Sequence, residues 1–118
     1  MKQSDTIEMF ALNAIADDYE NFDIVLRRVA ELGAQCDMTV GRSEVLQALM
    51  SLIEAGLAKA YVLSGNAFEE FHGMPPDFAL KGWDYAFWIT EKGRQVALGH
   101  PVRDEEGSLR KDWPGPLN

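Results

Sequence analysis

The stretch YAFWITEKGRQVAL, residues 85–98, sets a strand signal directly against a helix signal. Aromatic and β-branched side chains fill its first half, and Thr90-Glu91-Lys92-Gly93-Arg94 follows with no loop between. The Thr90 hydroxyl can accept from the backbone N–H groups that a helix leaves without partners in its first turn. The reading is therefore a strand that runs straight into a last helix, EKGRQVAL, whose Val96 and Ala97 return to the core. Gly93 costs roughly 1 kcal/mol inside a helix. Packing supplies the compensation: without a side chain, the first turn can lie close against the sheet.

Such a strand needs a partner upstream. In RSEVLQALMSLIEAG, Val45, Leu46, Leu49, Leu52 and Ile53 line one side of a helix, and Ser43, Glu44, Gln47, Ser51 and Glu54 line the other. Gly56 is a natural stop for it. LAKAYVLS, residues 57–64, leaves no room for another helix and ends in β-formers, so a strand begins directly after Gly56 and pairs with DYAFWIT.

Nearer the start, Ser4 or Asp5 can cap a helix beginning near Thr6, with Ile7, Phe10, Ala11, Ala14 and Ile15 at helical spacing. Met9, Leu12 and Ala16 add a second apolar row, so much of this helix is apolar around its circumference and a partner subunit is expected to cover part of it. DDYEN breaks the pattern. Asn21 or Asp23 can cap a second helix carrying Ile24, Val25, Val29 and Leu32, which Gly33 is placed to close. The expected fold is α+β, mainly α: a three-helix bundle, a two-stranded antiparallel hairpin with a long insertion, and a C-terminal helix. Residues 1–98 form this domain, and 99–118, with three of the five prolines and no apolar period, form an irregular tail anchored by Trp113.

At 118 residues the chain is one domain, large enough to bury a core without disulfides or metal. No apolar run approaches a membrane span, and MKQSDTIEMF lacks the pattern of an export signal, so a soluble cytoplasmic protein is expected. Cys36 stands alone and reads as a small apolar side chain rather than a nucleophile. His72 and His100 are far apart, and Asp17, Asp18, Glu20 and Asp23 lack calcium-loop spacing, so no metal or other cofactor is expected. Asp104, Glu105 and Glu106 read as solvated tail. No phosphate-binding glycine loop, nucleophile elbow or Ser/His/Asp arrangement can be assembled, and an enzyme is not expected.

The order helix, helix, helix, strand, strand, helix resembles the winged helix-turn-helix domains of bacterial transcriptional regulators, with PadR-like and MarR-like groups nearest. The resemblance rests on Leu52, Gly56 and Leu57 leading into the hairpin and on Tyr85 or Phe87, Ile89, Thr90, Gly93 and Arg94 leaving it. It covers residues 4–98. It implies a dimeric, DNA-binding regulator whose recognition helix is residues 42–55. Arg42, Ser43, Gln47 and Ser51 would face the bases and phosphates, with Arg27 and Arg28 of the second helix and Lys59 and Lys81 of the wing as further phosphate contacts.

The charge runs the other way. The formal net charge is −8 and the pI about 4.6, opposite to a protein held mainly by phosphates. Glu44 and Glu54 share the presumed reading face, and the wing stretch 64–84 sets one lysine against four acidic residues. The competing reading is therefore a winged-helix interaction module with an acidic surface that binds a protein and no DNA. Its natural anchor is that same wing insertion, where Phe68, Phe71, Met74, Phe78, Leu80 and Trp83 argue against simple disorder. These residues form a docking surface, a lid on an apolar pocket, or a cover for the protein's own core or for a homodimer interface.

Overall fold

The computed structural model describes residues 3–16, 20–64, 67–71, 73–75, 78, 84–99, 102, 109 and 110. Within them the chain runs α1 (Gln3–Ala14), β1 (Glu20–Asn21), α2 (Phe22–Ala34), α3 (Arg42–Glu54), β2 (Ala58–Ser64), β3 (Ala67–Glu70), β4 (Ala86–Ile89) and α4 (Glu91–Gly99). The strands form one antiparallel sheet in the order β1-β4-β2-β3. The fold is thus α+β and mainly helical. Among the described residues, no helix is long and apolar enough to cross a membrane.

α1 is the centre of the helical layer, packed on both α2 and α3 and touching α4. It starts at Gln3, earlier than the expected Thr6, and takes Asp5 into its first turn, where the helix dipole favours a carboxylate. Ile7, Phe10, Ala11, Leu12, Ala14 and Ile15 are all buried within this single chain, and Met9 and Ala16 pack against the same core. Of the second apolar row, Leu12 is thus buried by the protein itself, while Met9 and Ala16 are covered in part. Asn13 is buried too, and its amide donates to the Met9 carbonyl at 2.9 Å, so the polar group is not left unmatched. The guanidinium of Arg28, on α2, donates to the Ala14 carbonyl at the end of α1 and to Glu20 Oε1, each at 2.9 Å.

β1 lies within the expected polar break. Glu20 sits opposite Phe87 and Asn21 opposite Ala86, after which Asn21 Oδ1 accepts from Ile24 N at 2.9 Å and starts α2. Two residues thus serve as strand and cap in succession. α2 does not close on Gly33. That glycine is buried within the helix, where an added Cβ would meet Val40 Cγ2 at 2.9 Å. The left-handed residue is Asp37, at φ 61°, and Met38 N donates back to the Gly33 carbonyl at 2.8 Å. Asp tolerates this conformation better than most residues, and Gly33 is required by the close approach of the 38–40 segment.

α3 ends as expected. Gly56 takes φ 76°, its N–H reaches Ile53 O at 3.0 Å, and Leu57 N reaches Leu52 O at 2.9 Å, the paired bonds of a helix closed by a left-handed glycine. β2 follows and pairs with β4 in the register Ala58↔Ile89 through Tyr61↔Ala86. The ribbon is not two-stranded, however. β2 also pairs on its other side with β3, Tyr61↔Glu70 through Ser64↔Ala67, so the insertion supplies a strand of its own.

The rest of the described insertion folds back over β4. Phe78 is fully buried and meets Phe87 edge-on with centroids 5.9 Å apart, while Phe71 meets Tyr85 edge-on at 5.5 Å. Of the three readings of this loop, cover for the protein's own core is the one observed for Phe78. The tail is not wholly separate either. Val102 is buried, Arg110 N donates to Val102 O at 2.8 Å, and Leu109 N donates to Gln35 Oε1 at 2.7 Å. Trp113, the expected anchor, lies outside the described residues, as do Asp17, Asp18, His72, Leu80, His100 and residues 104–106.

Candidate nucleic-acid interface

The first half of α3 is held at both ends, which sets where its polar side chains point. At the N-terminus, Glu44 Oε1 accepts from Gly41 N at 3.0 Å, closing the first turn from within the helix. At the C-terminus, the seam with α4 is made by Thr90. Its hydroxyl donates to the Gly56 carbonyl at 2.7 Å and accepts from Gly93 N at 3.0 Å, and Thr90 N donates to Leu57 O at 3.0 Å. Lys92 adds a bond from Nζ to Ala55 O at 3.1 Å. A Cβ on Gly93 would lie 2.0 Å from the Leu57 carbonyl oxygen, so α4 rests at backbone distance on Leu57, the residue between Gly56 and β2. With α3 pinned in this way, Val45, Ala48, Leu49, Leu52 and Ile53 face the core. Ser43 and Gln47 are exposed, and Ser51, one further turn along, is half-buried.

The four side chains assigned to the reading face separate into two groups. Ser43, Gln47 and Ser51 line an open groove of about 490 Å³ whose other wall is α1, through Ile7 and Glu8. Glu44 and Ala48 complete it. Arg42 points elsewhere: its guanidinium carbon sits 5.9 Å from the centroid of the Phe22 ring at the start of α2, within the range of a cation–π contact. Arg42 is nonetheless exposed, as is Arg27 on α2.

Two of the remaining candidate cations, Arg28 and Lys59, are in ion pairs. Arg28 is committed to Glu20 and the end of α1. Lys59 is paired across the β2–β3 ladder with Glu70 at 2.6 Å. Both pairs are local neutralisations; the Arg28 pair has a buried carboxylate, whereas the Lys59 pair is exposed and screened by water. Lys81 and Trp83 lie outside the described residues, and of Phe68 only the backbone is described, in β3 opposite Leu63. Phe71 and Met74 are half-buried, the latter against the core.

Electrostatically the groove leans acidic. Burial, with the neighbouring charge of Asp5 as a second cause, holds the Glu8 carboxyl above the usual carboxylate range. Cys36 shows the same direction for the same leading reason: burial, then Asp37, raises its thiol pKa, and its Sγ lies 3.6 Å from the Leu32 carbonyl. A thiol held protonated is a poor nucleophile. Among the described residues, no group of three or more His, Cys, Asp or Glu side chains is arranged to hold a metal ion.

Sequence reasoning missed Ile7, Glu8 and Phe22 as parts of this region. Periodicity assigns Ile7 to the core and leaves Glu8 to solvent, and nothing local to α1 says that α3 lies beside it. Comparison with protein-family models, with curated proteins and with solved structures gives no match to this chain.

Proposed function

We propose that the chain is a winged-helix protein of the transcriptional-regulator type that binds duplex DNA with the first half of α3. The observation that carries this reading is the route of the chain around α3. Two helices precede it, Gly56 turns it directly into β2, β2 pairs with β4, and α4 returns against the seam. That arrangement leaves Ser43 and Gln47 exposed, with Arg42, turned toward Phe22 at the start of α2, and Arg27 on α2 as exposed cations. Gln47 is suited to adenine, Arg42 to guanine or phosphate, and the serines to phosphate oxygens. The β2–β3 hairpin stands where a wing would, although its Lys59 is already neutralised. A mobility shift with genomic fragments at low salt tests the proposal. Binding is expected to weaken steeply as salt rises and to fall on Arg42→Ala. Absence of any shift above a non-specific background overturns it.

A second reading, a winged-helix interaction module that touches no DNA, is favoured by the commitment of Arg28 and Lys59 to ion pairs in a chain of net charge −8. Its wing anchor is weakened by the burial of Phe78. Deleting residues 66–82 would open the core rather than remove a docking loop, so the DNA titration is the cleaner discriminator.

A further inference from the structure

We propose that the C-terminal segment carrying Val102, Leu109 and Arg110 is a clasp on the turn that leads into α3, and that its docking sets how firmly that turn is held. The turn's own fastenings are local. Cys36 N and Met38 N both donate to the Gly33 carbonyl, at 3.0 and 2.8 Å, around the left-handed Asp37, and Val40 lies against the bare Gly33. A further fastening comes from the far end of the chain: Leu109 N donates to Gln35 Oε1 at 2.7 Å, across 74 positions of sequence. Gln35 is the C-cap of α2, and its Nε2 donates to the Glu31 carbonyl at 3.3 Å, so this one side chain joins the last turn of the helix to the clasp.

The clasp is itself anchored. Val102 is fully buried in the main core, Leu109 packs partly against that core, and Arg110 N donates to the Val102 carbonyl at 2.8 Å, which ties the described parts of the segment together. Among the described residues this is a small holding beside that of α1 or the sheet, so the clasp opens at a lower free energy than the whole fold does. Once open, it withdraws the donor from Gln35 and leaves the turn to its local bonds. Order in the chain's last residues and order at the entry to α3 are thereby coupled. The coupling does not depend on what α3 contacts, and its test uses no DNA.

Native-state amide hydrogen exchange of the full chain, followed by NMR, tests it. Leu109 and Arg110 are expected to exchange faster than Leu57 and Thr90, whose amides are bonded in the seam at the end of α3. Gln35→Met keeps the length of the side chain and removes its acceptor. It should speed exchange at Cys36 and Met38 about five-fold, as the loss of one hydrogen bond does, with Leu57 and Thr90 unchanged. Leu109→Pro removes the donor from the other side while leaving Gln35 intact, and should speed the same two amides by a similar factor. Because both variants break one bond, the double variant should exchange no faster there than the quicker single. The proposal is overturned by exchange at Cys36 and Met38 that is indifferent to Leu109→Pro, by additive effects in the double variant, or by acceleration that spreads equally to Leu57 and Thr90.

Discussion

Two regions of α3 use polar groups in opposite ways. At its C-terminal seam with β2 and α4, the described donors and acceptors are spent on the chain itself. The Gly56 carbonyl takes the Thr90 hydroxyl, the Ala55 carbonyl takes Lys92, and the Gly93 position is in backbone contact with Leu57. Along its first half, Ser43 and Gln47 face solvent and the nearest carboxylates are drawn toward a groove. The seam is built for stability and the groove for contact. That difference follows from chain geometry: at the seam the end of one helix meets the start of another, so the backbone groups each leaves unmatched are within reach of the other, whereas Ser43 and Gln47 stand on the flank of a helix whose own backbone is already paired.

The sharpest way to break this contrast is at Gly93. Gly93→Ala places a methyl group 2.0 Å from a backbone oxygen that cannot move without shifting β2. A loss of about 3 kcal/mol in urea unfolding is expected, near the upper range for overpacking. A loss below about 1 kcal/mol would mean that the seam yields easily. Thr90→Val is next. It keeps the shape of the side chain but removes both the cap to Gly93 N and the bond to Gly56 O, costing about 1–2 kcal/mol, while Thr90→Ser should retain most of that. On the other side of the comparison, Gln47→Ala should leave stability within about 0.5 kcal/mol, as exposed positions do.

Glu8→Gln also gives a small effect, and the one with a pH signature. Because the folded-state pKa is raised, the native protein holds the Glu8 proton more tightly than the unfolded chain does. Below the unfolded carboxylate value the group is neutral in both states and costs nothing. As pH rises through that value toward the folded one, the unfolded chain releases its proton first and stability is lost. Above the folded value the loss is complete. Glu8→Gln should therefore stabilise at neutral pH by less than about 1 kcal/mol and have no effect in acid, measured as urea midpoints at the two pH values.

The parts of the fold visible in the sequence are those with local signatures. Gly56 and Thr90 are read correctly because a left-handed closing residue and a hydroxyl cap are chosen by the backbone within three residues of themselves. The same logic misplaces the end of α2, since Asp37 takes the left-handed position and Gly33 is needed for the approach of Val40. β1 is two residues long and carries no period, so only its pairing with β4 reveals it. For Phe78, cover of the core, a docking surface and a lid are all open in the sequence, and Phe87 and Tyr85 packed around it decide for the core. At the candidate site, the α3 face was legible from its 3.6-residue period. The opposing wall was not, because Glu8 is one charged residue on a helix otherwise read as core.

By itself, the order of residues determined the three amphipathic or apolar helices, the turn at Gly56, the cap at Thr90 and the strands that meet between them, all properties of short windows in which spacing and backbone chemistry suffice. Only the tertiary structure decided that Leu12 of α1's second apolar row is buried within its own chain, that the insertion contributes a strand and a core phenylalanine, that Arg28 and Lys59 are already paired, and that Glu8 stands across a groove from Glu44. Those outcomes depend on which surfaces meet after the chain closes, and closure is set by the summed burial of residues far apart in sequence rather than by any one of them.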